Sequence, residues 1–218
     1  MKIYHISNEY INYLKSFDPI VADNKNEKRP YIGTVIEING NNYYAPFTSP
    51  KAKHQKMKNS LDFRKIDNGK LGAINLNNMI PVADNAVIPV NFNDVQDPAY
   101  KNLLQKQYVA INKDCKAIER TAKKLYDILT IPEENLTDQE RKIKLRCCNI
   151  KLLEEKSKEF LLRRQNIVKK TSFSDRLQKY QDKSKKLDQE RKEARRDIGA
   201  NQVSMNPMNK ISKKEESL

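Results

Sequence analysis

Between Tyr43 and Lys58 the chain gathers a hydroxyl pair, a histidine and four lysines in one short stretch: Tyr43-Tyr44-Ala45-Pro46-Phe47-Thr48-Ser49-Pro50-Lys51-Ala52-Lys53-His54-Gln55-Lys56-Met57-Lys58. Pro46 and Pro50 fix φ on either side of Phe47-Thr48-Ser49, so the hydroxyls sit on a stiffened bend at a strand end. Serine and threonine offer directional hydrogen bonds and Lys51 a compact charge, which together suit the cradling of a phosphate. Thr-Ser-Pro-Lys is also an ordinary surface turn. The neighbouring elements decide between the two readings.

A hairpin must lead into the bend. Tyr31–Ile38 and Asn42–Pro46 are β-prone runs joined at Ile38-Asn39-Gly40-Asn41, and Asn-Gly accepts positive φ at both central positions of a type I′ turn. Such a hairpin carries Thr48-Ser49 to the end of its second strand and Lys28-Arg29 to the start of its first. In an antiparallel pair those ends are neighbours, so cations and hydroxyls distant in sequence meet.

The remaining pattern supplies a scaffold. Lys2–Ile6 reads as a strand, with His5 partly buried and hydrogen-bonded, and Ser7 caps a helix carrying Tyr10, Ile11, Leu14 and Phe17 that ends before Pro19. Asp23–Pro30 reads as a polar loop. Phe63–Ile66 and Leu71–Leu76 form short strands around Asp67-Asn68-Gly69, and Met79–Val82 and Val87–Phe92 follow as edge strands or bulges. The pattern changes at Pro98. Tyr100, Leu104, Tyr108, Ile111, Cys115, Ile118, Ala122, Leu125 and Leu129 predict one amphipathic helix of roughly eight turns, with Cys115 in the core. Thr137 and Glu140 make a capping box for a last helical segment, broken near Asn149 and running to Leu162. The class is α+β: a twisted, mostly antiparallel sheet with packed helices.

The 218 residues carry a formal charge of +14, which points to a polyanionic partner. The excess is uneven: residues 163–218 hold 16 Lys/Arg against 8 Asp/Glu, and residues 1–162 hold 26 against 20. The boundary therefore falls between a folded domain, 1–162, and a basic helical or disordered extension, 163–218. Phe173, Leu177, Tyr180 and Leu187 keep heptad spacing, but Ser184 and Arg191 interrupt the seam, which argues against a stable coiled coil. Gly199–Leu218 has little to bury and is expected to be flexible. Three cysteines without a C-x-x-C and two histidines give no zinc or disulfide framework. No apolar run is long enough to span a bilayer and the N-terminus is no signal peptide, so a soluble protein of a reducing compartment is expected.

Taken together, the ordered segments resemble the ToxN/AbiQ toxins of bacterial type III toxin–antitoxin systems. The resemblance rests on Lys2-Ile3-Tyr4 with Ile6-Ser7 and Tyr10-Ile11, and on Ile32-Gly33, Val35, Glu37-Ile38, Gly40, Tyr43, Ala45-Pro46, Thr48-Ser49-Pro50-Lys51 and His54. It continues through Leu71-Gly72, Ile74-Asn75-Leu76, Met79-Ile80-Pro81, Pro98, Tyr100-Lys101, Lys106-Gln107, Cys148-Asn149, Leu152–Lys156 and Phe160, and so covers about residues 1–162. It implies a MazF/Kid-like, barrel-like curved sheet and a cytoplasmic bacterial endoribonuclease that needs neither metal nor cofactor. It further implies cleavage at adenine-rich sites to a 2′,3′-cyclic phosphate, in phage defence by abortive infection or in plasmid maintenance. The implied partners are mRNA substrate and a small repeated antitoxin RNA in a closed toxin–RNA assembly; neither DNA nor a membrane is expected.

Carried over by position, the family's Thr-Ser-x-Lys falls on Thr48, Ser49 and Lys51. A family lysine four residues before the strand glycine falls on Arg29, with Lys28 beside it, and a tyrosine found further upstream falls on Lys25. Arginine braces a phosphate bidentately but does not give up its proton, so any acid–base work of that lysine must pass to Lys28 or Lys51.

Attack by the RNA's own 2′-hydroxyl needs in-line geometry, relief of phosphate charge and proton transfer. Thr48 and Ser49 suit the first, Lys51 and Arg29 the second, and Lys51 is assigned the third with His54 as competitor. His54 could equally stack on a base or cap the loop. Lys28, Lys53, Lys56, Lys58, Arg64 and Lys65 form the expected RNA-tracking surface, and Tyr43, Tyr44 or Phe47 are candidates for stacking on bases. The competing readings are a non-catalytic RNA-binding protein that uses the basic loop and tail, and an interaction protein that assembles through the tail.

Overall fold

The computed structural model describes residues 1–204, with side chains at 1–167 and 174–191. The chain divides into two compact units, Met1–Arg164 and the residues from Gln165 onward. In the first unit the elements are β1 (Lys2–Ile6), α1 (Asn8–Lys15), β2 (Tyr31–Gly33), β3 (Glu37–Ile38), β4 (Asn41–Thr48), α2 (Ala52–Lys56), β5 (Arg64–Lys65), β6 (Ala73–Ile74), β7 (Ile80–Pro81), β8 (Val87–Pro89), α3 (Pro98–Lys113), α4 (Cys115–Thr130), α5 (Asp138–Lys144) and the start of α6 (Ile150–Ser204).

Every strand pairing is antiparallel, and the order is β5-β6-β4-β2-β1-β8, with β3 and β7 also joined to β4. The sheet is open, ending at β5 and β8, so the barrel-like closure expected from the resemblance is not formed. Two-residue strands such as β5 and β6 are too short to carry the pairing round to the far edge.

The Asn-Gly hairpin is present. Asn39 and Gly40 both have positive φ, 52° and 73°, and Ile38 faces Asn41 across the turn. The register then changes: β3 pairs Glu37 with Asn42, whereas β2 pairs Ile32 with Ala45. Thr34–Ile36 absorb the difference, tied to Tyr43 by Val35 N–H to Tyr43 O (2.8 Å) and Tyr43 N–H to Ile36 O (3.0 Å).

β4 is the central strand, and its alternating side chains enter two cores. Tyr43, Ala45 and Phe47 pack with Ile32, Ile74, Leu104, Ile111, Ile118 and Leu125 on the α3/α4 face. Tyr44 packs with Ile6, Tyr10, Leu14, Tyr31, Leu153 and Phe160 on the face of α1 and α6. The Tyr10 hydroxyl, buried among these, donates to Pro81 O (2.7 Å) and lies 2.8 Å from Ser157 Oγ, joining α1 to β7 and α6.

The single helix expected from Pro98 is two helices. Asp114 (φ −106°, ψ 8°) separates α3 from α4, and its carboxylate pairs with Arg64 at 2.6 Å. The apolar stripe runs through the break undisturbed, which is why the periodicity concealed it. Cys115, expected in the core, opens α4 only partly buried. The capping box forms as expected, with Thr137 N–H donating to Glu140 and Glu140 N–H to Thr137 Oγ1.

In the second unit the helical backbone continues through Ser204, past Gly199, where a flexible tail was expected to begin. Leu177, Tyr180 and Leu187 are exposed on it. The side chain of Phe173 and residues 205–218 lie outside the described residues. Among the described residues no helix is long and apolar enough to cross a membrane.

Candidate active site at the end of the central strand

Thr48 is the last residue of β4, and the pairing that ends there explains what meets it. Phe47 N–H donates to Pro30 O (3.1 Å), just beyond the β2–β4 register of Tyr31 with Pro46, while Arg29 N–H bonds back to Asn24 O (3.2 Å) and Lys28 N–H to Lys25 O (3.2 Å) within their own loop. The start of β2 and the end of β4 are neighbours as expected, but none of Lys28, Arg29 and Ser49 is among the residues lining the cleft that Thr48 borders. Arg29 is partly buried and its Nε–H donates to Asp23 O, while His5 Nδ1 lies 3.2 Å from Arg29 O, the donor geometry of the Nδ1–H tautomer. The polar loop before it is an ordered turn: Lys25, Asn26 and Glu27 all have φ near +50° to +63°, and Glu27 accepts from Asn8 N–H (2.6 Å).

On the other side, Thr48 pairs with Ala73, and Ala73 with Lys65, so Thr48 and Lys65 share one cross-strand row. Two strand spacings separate them by roughly 10 Å. Arg64 is engaged by Asp114, and both Arg64 and Lys65 border a separate hollow of about 1150 Å³ between β5 and α3/α4.

Two features hold the Thr48 peptide. Gly72 (φ +105°) lies so close that a Cβ there would meet Thr48 O at 1.9 Å, so glycine alone allows β6 to approach. Gln107, buried in α3, donates from Nε2 to Leu71 O (2.7 Å) and Thr48 O (3.3 Å). The Thr48 hydroxyl donates to Ser49 O (2.8 Å), and Ser49 is exposed.

Thr48, Lys51, Lys53 and His54 line one cleft of about 470 Å³, completed by Phe63, Asn75 and the Asp62–Arg146 pair. Lys51 is exposed in extended backbone at the entry to α2, and its carbonyl accepts from His54 N–H (2.9 Å). His54 is only 2% exposed, packs 5.9 Å from the Phe63 ring, and its Nδ1 is buried without a partner. Burial first, then the charges of Lys51 and Lys53, hold its pKa below the ordinary 6.5, so the ring is neutral near pH 7. Asp62 accepts from Arg146 Nη2 (3.1 Å) and Ser60 Oγ (2.7 Å). Lys28, Lys56 and Lys58 are exposed and none of them lines the cleft.

The aromatic candidates for base stacking are core residues. Tyr43 is fully enclosed, its hydroxyl donating to Glu154 and its ring edge-on to Tyr126 at 5.6 Å. Tyr44 and Phe47 are 5% and 1% exposed. β4 is covered on both faces, so both parities of its side chains are buried and none of its own aromatic rings is left for a ligand. Gln107 was missed although a signal existed: it stands three residues after Leu104 and four before Ile111, a polar residue on the apolar stripe that requires a buried partner. Tyr108, placed on that stripe, lies instead at its solvent edge against Phe92 (5.8 Å).

Comparison with known proteins agrees with this architecture. Residues 2–158 match the family described as Toxin ToxN, type III toxin–antitoxin system. Endoribonuclease ToxN of Pectobacterium atrosepticum is 34% identical over 170 residues, 73% of this chain and 94% of that protein. A solved structure concerned with selective toxin inhibition by a non-coding RNA pseudoknot superposes with a TM-score of 0.66 at 32% identity, covering 73% of this chain and 96% of that one. The structure of AbiQ, a lactococcal anti-phage endoribonuclease of a type III system, superposes at 0.61 with 28% identity over 73% and 96% of the two chains. The chain belongs to the ToxN toxin family of type III toxin–antitoxin systems.

Proposed function

We propose that this chain is an endoribonuclease toxin that cleaves RNA by attack of the 2′-hydroxyl, at the end of β4, leaving a 2′,3′-cyclic phosphate. The observation that carries the reading is the meeting of Thr48, Lys51 and Lys53 on one cleft at the end of β4, where β4 pairs with the start of β2. In this reading the scissile phosphate lies over the Thr48–Lys51 turn. Thr48 and Ser49 hydrogen-bond its non-bridging oxygens and hold the attack in line, and Lys51 and Arg29 take up the charge that grows in the transition state. Arg29 keeps its proton, so proton transfer falls to Lys51 or to a lysine nearby, Lys28. Lys53 and Lys65 extend a cationic track along the RNA, with Lys56, Lys58 and Arg64 at its margins, and no metal or cofactor is assigned a step.

The relatives' description as RNA-inhibited toxins supports an RNA antitoxin as second partner, covering the same turn within a closed toxin–RNA assembly in the bacterial cytoplasm. The anti-phage role named for AbiQ supports a place in abortive infection. A twisted antiparallel sheet with helices on both faces is compatible with a MazF/Kid-like origin of the fold. The basic extension, 163–218, is assigned to non-specific RNA contact.

The test is cleavage of RNA in excess EDTA by the wild type, Ser49→Ala and Lys51→Ala, with product ends mapped. Cyclic-phosphate ends from the wild type, reduced about 100-fold or more in each variant, are expected. Intact RNA in every lane, with tight binding, would make the protein an RNA binder.

A further inference from the structure

We propose that the cleft beside Thr48 is a nucleobase pocket, and that His54 reads the edge of the base adjoining the phosphate held at Thr48 and Lys51. This rests on the ribonuclease reading above and goes beyond it by naming what sets the cleavage sequence. The cleft, about 470 Å³, lies within the range of roughly 300–1,000 Å³ typical of small-ligand sites, and Thr48 and Lys51 stand on its wall. A phosphate seated at those two residues therefore brings one of its nucleotides to the cleft.

The lining is chosen for a flat, polar-edged group and not for a second phosphate. His54 is neutral near pH 7 and carries one donor and one acceptor nitrogen, matching the mixed edge of a base. Its Nδ1 is buried without a hydrogen-bond partner, so the ring's polar atoms are not spent on bonds within the protein. Asn75 also lines the cleft and contributes an amide, which carries both a donor and an acceptor. Phe63, tilted against His54, supplies aromatic surface for stacking. Of the cleft's cations, Lys51 is assigned to the phosphate and Lys53 to the track along the RNA, and the exposed Arg146 is committed to Asp62 through Nε and Nη2 and to Lys142 O through Nη1, so its charge is already matched.

The experiment is cleavage of a randomised RNA pool by the full-length protein, with both product ends sequenced, for wild type, His54→Phe, His54→Asn and Asn75→Leu. Phenylalanine keeps the ring and its packing on Phe63 but removes both nitrogens. We expect His54→Phe to cut the pool with base discrimination at one position flanking the cut reduced roughly 10- to 100-fold. His54→Asn should recover part of it, and Asn75→Leu should weaken discrimination at the same position. If His54→Phe does not fold, the Asn75→Leu profile decides. An unchanged sequence profile in both variants overturns the inference alone. Loss of cleavage at every sequence in His54→Phe, with RNA binding intact, assigns the ring to proton transfer and overturns it too. Intact RNA from the wild type removes the ribonuclease reading and this inference together.

Discussion

Gln107 donates a hydrogen bond from α3 to the carbonyl of Thr48, so the turn that bears the hydroxyls is tied directly to the helix layer behind the sheet. The same amide satisfies Leu71 O, and Gly72 lets the β6 backbone lie against Thr48. The orientation of the Thr48–Ser49 peptide is therefore set by three elements and not by the turn alone.

Gln107→Leu should act on stability and on chemistry together. Two part-buried carbonyls lose this donor, which costs about 1 kcal/mol or more. Single-turnover cleavage should slow with little change in RNA affinity, because Gln107 does not face the ligand. An unchanged rate in a folded variant would show that the turn holds itself.

Tyr43→Phe separates the core role of this residue from base stacking. The hydroxyl of Tyr43 donates to Glu154, which Tyr126 also serves at 3.1 Å. Losing a hydrogen bond to a charged acceptor should lower unfolding stability by about 1.5–3 kcal/mol, read from urea midpoints, with RNA affinity unchanged. A selective loss of affinity would restore Tyr43 to the interface.

Acidification should destabilise the first unit in two steps. The folded state holds the pKa of His54 below 6.5 by burial and by Lys51 and Lys53, so the unfolded chain binds the extra proton first. The stability that the neutral ring confers is present above pH 6.5 and is lost as pH falls through the lower, folded pKa. For Asp62, burial alone pushes the carboxyl up, but hydrogen bonds from Arg146 and Ser60 outweigh it and leave its pKa below 3.8. Its contribution is lost at still lower pH. Urea midpoints followed from about pH 8 to 5 should fall in the wild type, and His54→Phe should remove His54's share of that fall.

The extension can be tested by neutralising Lys183, Lys185 and Lys186, exposed on the second unit. If each meets a phosphate of single-stranded RNA, the slope of log affinity against log salt should flatten by about 2. A slope equal to that of the wild type would exclude this segment from the contact.

Much of this arrangement was legible because local rules acted alone. Asn39-Gly40 announces its turn and Thr137 and Glu140 their cap, each within a few residues, and the Thr48–Lys51 stretch shows as a strand end rich in hydroxyls and cations. What escaped depended on the third dimension. Tyr43 and Tyr44 look like ligand-facing aromatics until β4 is seen to be covered on both faces, and Asp114 breaks a helix whose apolar stripe continues across it. The burial of His54 follows from its contact with Phe63, and its cleft is completed by Asn75 and Arg146, residues brought from distant segments.

Placing Thr48 at the end of β4 has a consequence for how such a toxin can be silenced. A strand covered on both faces and joined to four partner strands opens only when the whole unit does, and its amides should be among the last to exchange with solvent. The platform under the turn proposed to carry the chemistry is therefore expected to lack a half-melted resting state through which activity could be dialled down. As long as the unit is folded the turn stays assembled, and restraint has to arrive as an occupant that covers it.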